Sequence, residues 1–439
     1  MINRKRNTVY LGFEKRFHQK DYDYMFFLVP HSPTNWKKEI MDIPDISSVT
    51  LVFERYHDRY SDYGAVFWTD LKVLIDHLAA HSIPIICEHM PLITDDESSV
   101  PLNGYYFSNL TLYLRSTSTQ SFVDNVLGSL PATLTNLSLT GQFKGSLENV
   151  LPTSIRSLAI RLDDWNLAIS GTGLPPHLNT LHLGHWFNHP LTLPSSITEV
   201  KIGLYFAQQI DCPSLQSLIW TSSTTTISDL TSTFPDLRDV NLTFEKPPVG
   251  IPYGVEVLSL NFDRYINHEP LSRLQLPSSI TALKIQYHNR KIQIGDIPPS
   301  VTSLTVIGVQ YDQLDFDALP SALRSLSLQC VATDLPIPWD LVNQLHCLPK
   351  STVEYTLTIG YGLSVRRNDY WTINLTRISD NIFLRVADDL LKRSGFIDIS
   401  SPYFKTEYLL QLMNNQWTWP INKPRGRGLA STLSSCTTM

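Results

Sequence analysis

Thirteen histidines, five cysteines and a few paired acids are the residues of this 439-residue chain that could do chemistry, and their spacing decides whether they can. A metalloprotease centre needs two histidines one helical turn apart with a glutamate between them, as in HExxH. A phosphate-cradling loop needs GxxxxGK[ST], a serine nucleophile GxSxG, and a zinc or redox module CxxC. None of these patterns occurs, and the histidines are dispersed. His182, inside the phrase LHL, reads as a polar residue on the exposed face of a strand. The glycines of GTG (171–173) read as a loop before Leu174-Pro175, and DDES (95–98) as a solvated acidic loop. Asp388 and Asp389, with Lys392 and Arg393 after them, read as a solvated helix face. Cys87, Cys212, Cys330, Cys347 and Cys436 are odd in number and scattered, which suits neither a disulfide framework nor a zinc site. The expectation is a chain without cofactor, without metal and without enzymatic activity, in a reducing compartment.

One cysteine fits a covalent modification. The chain ends Cys436-Thr-Thr-Met439, a prenylation box in which threonine takes both places usually held by aliphatic residues. Lys423, Arg425 and Arg427 lie upstream and would add attraction to an anionic leaflet. A single lipid chain holds a protein to a membrane reversibly. The two readings are a cytoplasmic protein tethered through Cys436 and a cytoplasmic protein with a chance cysteine in a floppy tail.

Composition narrows the class. Apolar residues make up 42% of the chain and charged ones only 17%, so the chain can bury a core and is neither disordered nor a charged helical rod. The net charge of −6 supplies no general field for nucleic acid. Four Asn-x-Ser/Thr triplets, at Asn109, Asn136, Asn241 and Asn374, arise from alternation of polar and apolar residues, since no signal peptide precedes them.

The element that must position everything is a repeat. LPSSITALKI (276–285) is followed by IPPSVTSLTV (297–306), and LPATLTNLSL (130–139), LPTSIRSLAI (151–160), LPPHLNTLHL (174–183), LPSSITEVKI (193–202) and LPSALRSLSL (319–328) are of the same kind. From Pro131 to Pro320 the equivalent prolines are spaced by 21, 23, 19, 19, 22, 17, 25, 21 and 22 residues. CPSLQSLIW and FPDLRDVNL read as the same phrase one residue shorter. Leu283 and Ile285 alternate with period two and leave one face of a short strand, with Ile280 on the turn before it. Proline suits that entry corner, because it fixes φ and has no N–H to give to a sheet. The second half of the unit brings an aromatic, often followed by Asn, as in FNHPL (187–191), FAQQI (206–210) and YHNRKI (287–292). One such unit buries too little to order itself, so units must stack and share strand hydrogen bonds. The reading is a mainly β solenoid: a leucine-rich-repeat-like parallel sheet of about 22-residue repeats, with extended or single-turn segments on the other side and α/β caps at both ends.

IGDIPPSVTSL (294–304) with YHNRKI before it, and FNHPL running on to LPSSITEV (187–200), resemble the FNIP repeat, a family named for its Phe-Asn-Ile-Pro pattern and similar to leucine-rich repeats. The resemblance spans about 101–360. Asn is missing from FKGSL and FAQQI, and 213–252 is irregular. It implies a binding scaffold and brings no catalytic residues. Members often carry an F-box or a kinase domain, and neither pattern is present in this sequence.

Four regions follow: 1–100 as an N-terminal α/β cap, 101–360 as the solenoid, 361–421 as a C-terminal α/β cap and 422–439 as an unstructured tail. Within the first, TVYLGF, SVTLVF and IPIICEH read as strands and FWTDLKVLIDHLAAHS (67–82) as a helix. In the third, a strand, a helix around 379–394 and another strand after Gly395 are expected, with TEYLLQLMNNQW as a further short helix. The expected function is a non-enzymatic scaffold for a protein partner, with no nucleic acid bound. Arg161, His182, Lys201, Asn241, Lys284 and Thr305 are its candidate surface. The alternatives are substrate recognition in an F-box-type ubiquitin ligase, and a ligand site or enzyme in the first 100 residues.

Overall fold

The computed structural model describes residues 7–12, 24–27, 46–52, 65–91, 107–114, 116, 118–221, 230, 234–244, 250–262, 270–288, 290–309, 314–332, 344–361, 370–385 and 395–400. The tail with Cys436, the DDES loop, the segment at 406–417 and the acidic–basic run at 388–393 lie outside them.

Chain order within the described residues begins with β1 (Asn7–Gly12), β2 (Tyr24–Phe27), β3 (Ile46–Val52), helix α1 (Ala65–Ala80), β4 (Ile85–Pro91), β5 (Phe107–Leu114) and helix α2 (Gln120–Gly128). The strands then follow the repeat: β6 (Asn136–Gly141), β7 (Ser157–Leu162), β8 (Thr180–Leu183), β9 (Leu191–Thr192), β10 (Glu199–Ile202), β11 (Ile210–Asp211), β12 (Ser217–Thr221), β13 (Asp239–Phe244), β14 (Val257–Phe262), β15 (Ala282–Gln286), β16 (Ser303–Val309), β17 (Ser325–Ala332) and β18 (Glu354–Tyr361). The end is β19 (Tyr370–Arg377), β20 (Ile382–Arg385) and β21 (Gly395–Asp398).

Nineteen of these strands form one sheet. From β5 to β18 each repeat strand pairs in parallel with the next, as in Leu181↔Val200 and Leu283↔Leu304. β3, β4 and β5 pair in parallel as well, so the sheet runs on across residue 101. β9 and β11 make a second, two-stranded ladder between neighbouring coils. In the coils after β7 the side away from the sheet also carries single 3-10 turns, at Gly171–Gly173, Leu271–Leu274, Phe316–Ala318 and Gln344–Cys347. This is the parallel β solenoid the repeat length requires. Leu181, Val200, Leu283 and Leu304 are all at most 2% exposed and belong to one apolar cluster that reaches from Val49 to Ile397.

Each letter of the repeat has a physical task. The apolar residue three places after proline closes a β-turn by donating its N–H to the proline carbonyl: Ile197 to Pro194 at 3.0 Å, Val301 to Pro298 at 3.1 Å, Leu323 to Pro320 at 3.0 Å. In CPSL and FPDL the same turn is closed by Leu215 to Cys212 and by Leu237 to Phe234. The turn has therefore lost no residue. Proline has moved one place along, and buried Cys212 and Phe234 stand where it was. The residue after the core position carries a carbonyl that accepts two N–H groups of the following coil, as Thr281 does from Thr302 and Ser303 at 2.8 and 3.0 Å.

In the coils of Ile280 and Val301 the serine before the core position works across coils instead of capping its own turn, whereas the equivalent Ser154 and Ser196 hydroxyls are buried without a partner. Ser279 Oγ donates to Val255 O at 2.8 Å, and Ser300 Oγ to Ile280 O at 2.7 Å. The aromatic of the second half forms a ladder: Trp165, Phe187 and Phe206 lie 5.9 and 6.1 Å apart centroid to centroid, nearly parallel, and Phe206 meets the edge of Trp220 at 5.5 Å. The Asn beside it bonds to the next coil, with Asn166 Oδ1 accepting from Asn188 N and Asn188 Oδ1 from Ala207 N, both at 2.9 Å. Phe-Asn is thus a pair in which the ring fills the interior and the amide satisfies the backbone of its neighbour.

Two elements differ from the sequence reading. The helix expected around 379–394 is a strand over Ile382–Arg385, antiparallel to both β19 and β21, and residues 386–394 lie outside the described ones. The run Ile-Phe-Leu has no helical or strand period of its own. An open edge on β19 offered it hydrogen bonds, and Phe383 and Arg385 turned inward while Ile382 stayed exposed. Parallel pairing accordingly ends at β18. The second difference is α2, on the side where no helix was expected. The coil between β5 and β6 is longer, Thr119 caps its helix by accepting from Phe122 N at 3.2 Å, and Val123, Val126 and Leu127 face the core.

Candidate interaction surface

On the outward face of the sheet the residues between the buried pairs line up strand by strand. Ser138, Ala159, His182, Lys201, Ile219, Asn241, Ser259, Lys284, Thr305 and Ser327 form one unbroken row, each half-buried. Asn241 therefore sits between Ile219 and Ser259, and Lys284 beside Thr305, well along the row from His182 and Lys201. A flanking row carries Glu199, Ser217, Asp239, Val257, Ala282 and, at its far end, Glu354. Burial first, then the charge of Glu199, raises the Asp239 carboxyl above the usual range.

Three of the six candidate residues are brought together. Arg161, His182 and Lys201 line a cleft of about 210 Å³ at the carboxyl ends of β7, β8, β10 and β12, with Asp163, His185 and Trp186 also on its walls. Two glycines also line the cleft. One place beyond the last paired residues of β8 and β10 stand Gly184 and Gly203, where β7 has Arg161 and the end of β12 has Thr221. Neither glycine can be replaced without movement. A Cβ on Gly203 would run into His185 Cα and the backbone of Gly184, so this glycine permits a close approach of neighbouring coils.

The polar groups are ordered. Arg161 Nε donates to His182 Nδ1 at 3.2 Å, and since a guanidinium cannot accept, the ring proton of His182 sits on Nε2. Burial, then the charges of Arg161, Lys201 and His185, pushes His182 down to about 3, so the ring is neutral at physiological pH. Beside the cleft Trp186 and Tyr205 lie 4.6 Å apart and are 47% and 38% exposed, an unusual position for two large aromatics. They precede Phe187 and Phe206 of the interior ladder, so the same coil sends one ring inward and the next one out.

The phrase at 288–330 includes Asp296, whose two carboxylate oxygens accept from Ser272 N at 3.0 Å and Gln293 N at 2.7 Å and so tie two coils together. Residues 288–330 match the family described as FNIP Repeat. This stretch is FNIP repeat. The FNIP match covers a minor part of the chain, and the same turn, ladder and register recur outside it from Pro131 onward. Among solved structures the chain is similar to one described as CroV588, a novel circular LRR protein, with 16% identity, a TM-score of 0.29, and coverage of 74% of this chain and 61% of that one. The chain thus spans less than two thirds of that protein's length. No curated protein matches the chain.

Among the described residues no group of three or more His, Cys, Asp or Glu is placed to hold a metal ion, and no helix is long and apolar enough to cross a membrane. Sequence reasoning placed His182 on the face as an ordinary polar residue. It missed the cleft, although the signal was present in LHLG and VKIG, where glycine follows each strand at the same register.

Proposed function

We propose that the protein is a non-enzymatic interaction scaffold that binds a partner protein across the outward face of its sheet. The observation that supports this reading is the single register of that face. A row of half-buried small and polar side chains runs the length of the repeat array without a break, beside a row that carries Glu199, Asp239 and Glu354. Repeat arrays offer extended surfaces of this kind, and every coil contributes a position to a long, shallow contact. The strands and helix before residue 101 and the antiparallel strands after residue 361 serve as caps that cover the two ends of the apolar spine. If Cys436 is prenylated, the scaffold works at a membrane surface to which it returns reversibly.

The test uses the full chain expressed in its native cells, with proximity labelling as the readout. A double variant on the row, Asn241→Arg with Lys284→Glu, is compared with a variant on the opposite side, Arg273→Glu, in an exposed 3-10 turn. Partners are expected to be lost from the row variant and kept by the other. A partner set unchanged by the row variant would refute binding through this face.

A further inference from the structure

The cleft at the ends of β7, β8, β10 and β12 differs from the rest of the outward face. Along the rest of the row the charge is sparse, with Lys284 standing between Ser259 and Thr305. Here Arg161, Lys201 and His182, whose ring carries its proton on Nε2, line one cleft together with Gly184, Gly203 and Trp186. Two cations stand against one carboxylate, Asp163, within the lining. His182 reports the sign of the field, since the charges that act on its ring are those of Arg161, Lys201 and His185.

Size and surroundings limit the occupant. At about 210 Å³ the cleft is smaller than the roughly 300–1,000 Å³ pockets that bury drug-sized ligands and cofactors. It fits the end of one side chain. Glu199 and Asp239 on the adjoining row would repel a polyanion, so a nucleic-acid strand or an anionic membrane is a poor match. An isolated anion carried on an otherwise neutral chain is a good one. Guanidinium and ammonium groups hold carboxylate or phosphate oxygens by charge-assisted hydrogen bonds, and exposed aromatics beside them cover an apolar flank.

We infer that the cleft receives one acidic side chain of an extended partner segment, with its carboxylate or phosphate oxygens held by Arg161, Lys201 and His182 and its neighbouring apolar residue against Trp186 and Tyr205. The assignment rests on the scaffold reading and names the chemistry of one contact within it.

The experiment presents the full-length protein with three libraries of short synthetic peptides, identical in their randomised flanks and differing in a fixed central Glu, phosphoserine or Gln. Binding of Glu or phosphoserine peptides at least about tenfold tighter than their Gln counterparts is expected, the value of one charge-assisted bond in a partly exposed site. Whichever of the two acidic libraries is enriched identifies the anion. Arg161→Gln and Lys201→Gln should each abolish the preference, Trp186→Ala should weaken acidic and neutral peptides alike, and Arg273→Gln, in the exposed 3-10 turn on the opposite side, should leave the preference intact. Circular dichroism checks that each variant folds. Equal recovery of the three libraries, no enrichment in any, or an equal effect of Arg273→Gln would overturn the assignment. Partner loss on Asn241→Arg with Lys284→Glu, alongside an indifferent cleft, would leave the scaffold reading standing and remove this contact alone.

Discussion

Replacing Phe187 with Ala tests the idea that the aromatic ladder holds coil to coil. Phe187 is completely buried and lies between Trp165 at 5.9 Å and Phe206 at 6.1 Å, with interplanar angles of 19° and 8°. Truncating a buried phenylalanine costs about 3–5 kcal/mol in lost burial and residual cavity. Each aromatic pair adds about 0.5–1.5 kcal/mol to what area alone supplies. Both partners belong to other coils, so the cavity cannot close by movement of one coil alone, and the upper part of that range is expected. Against a total stability of about 5–15 kcal/mol, this is a large share. Long repeat arrays lose two-state behaviour, which makes a local probe preferable to one global curve. Hydrogen exchange at the amides of β8 and β10 should quicken by about a hundredfold or more, while amides of β17 and β18 change far less. Tyr205→Ala, one place before the next rung and partly exposed, loses its pair with Trp186 and leaves no buried cavity, so it should cost only about 0.5–1.5 kcal/mol. A loss of under about 1 kcal/mol for Phe187→Ala, or equal effects of the two variants, would refute the reasoning.

Other outcomes follow from the same geometry. Asn188→Leu removes the acceptor of the exposed Ala207 N–H and should cost about 0.5–1.5 kcal/mol, whereas Asn188→Asp keeps an acceptor oxygen and should cost less, as read from urea denaturation. His182 stays neutral in the fold down to about 3, while an unfolded chain takes up that proton near 6.5. Stability should therefore be complete above 6.5 and decline as pH falls toward 3, and His182→Gln should flatten that limb of the curve. Burial, with the charge of Asp211 second, pushes Cys212 from an ordinary 9.0 up to about 11, and burial alone pushes Cys330 up to about 12. The unfolded chain releases these protons first, so stability should fall as pH rises above 9.0, and both thiols should resist alkylation in the native protein and react once it is unfolded in urea.

The spacing of proline, Ile280, Leu283 and Ile285 was enough to place the strands, their buried pairs and the outward row, because period-two alternation and a fixed repeat length leave one way to share a core. His182, Lys201, Asn241, Lys284 and Thr305 lie on that row for the same reason. The fate of the Ile-Phe-Leu run at 382–384 was not legible. A short apolar segment without a period follows whichever hydrogen-bonding edge is offered, and that edge belongs to β19. Nor could the phrase CPSLQSL show that its turn begins at Cys212, since turns are closed by backbone groups and the letters shift within them.

The sequence by itself determined the solenoid, the buried spine and the side of the sheet that each residue faces, since these depend on periods written along the chain. Only the tertiary structure decided that Arg161, His182 and Lys201 share one cleft. They come from three different coils, and what joins them is the register of parallel strands, which exists only once the coils are stacked.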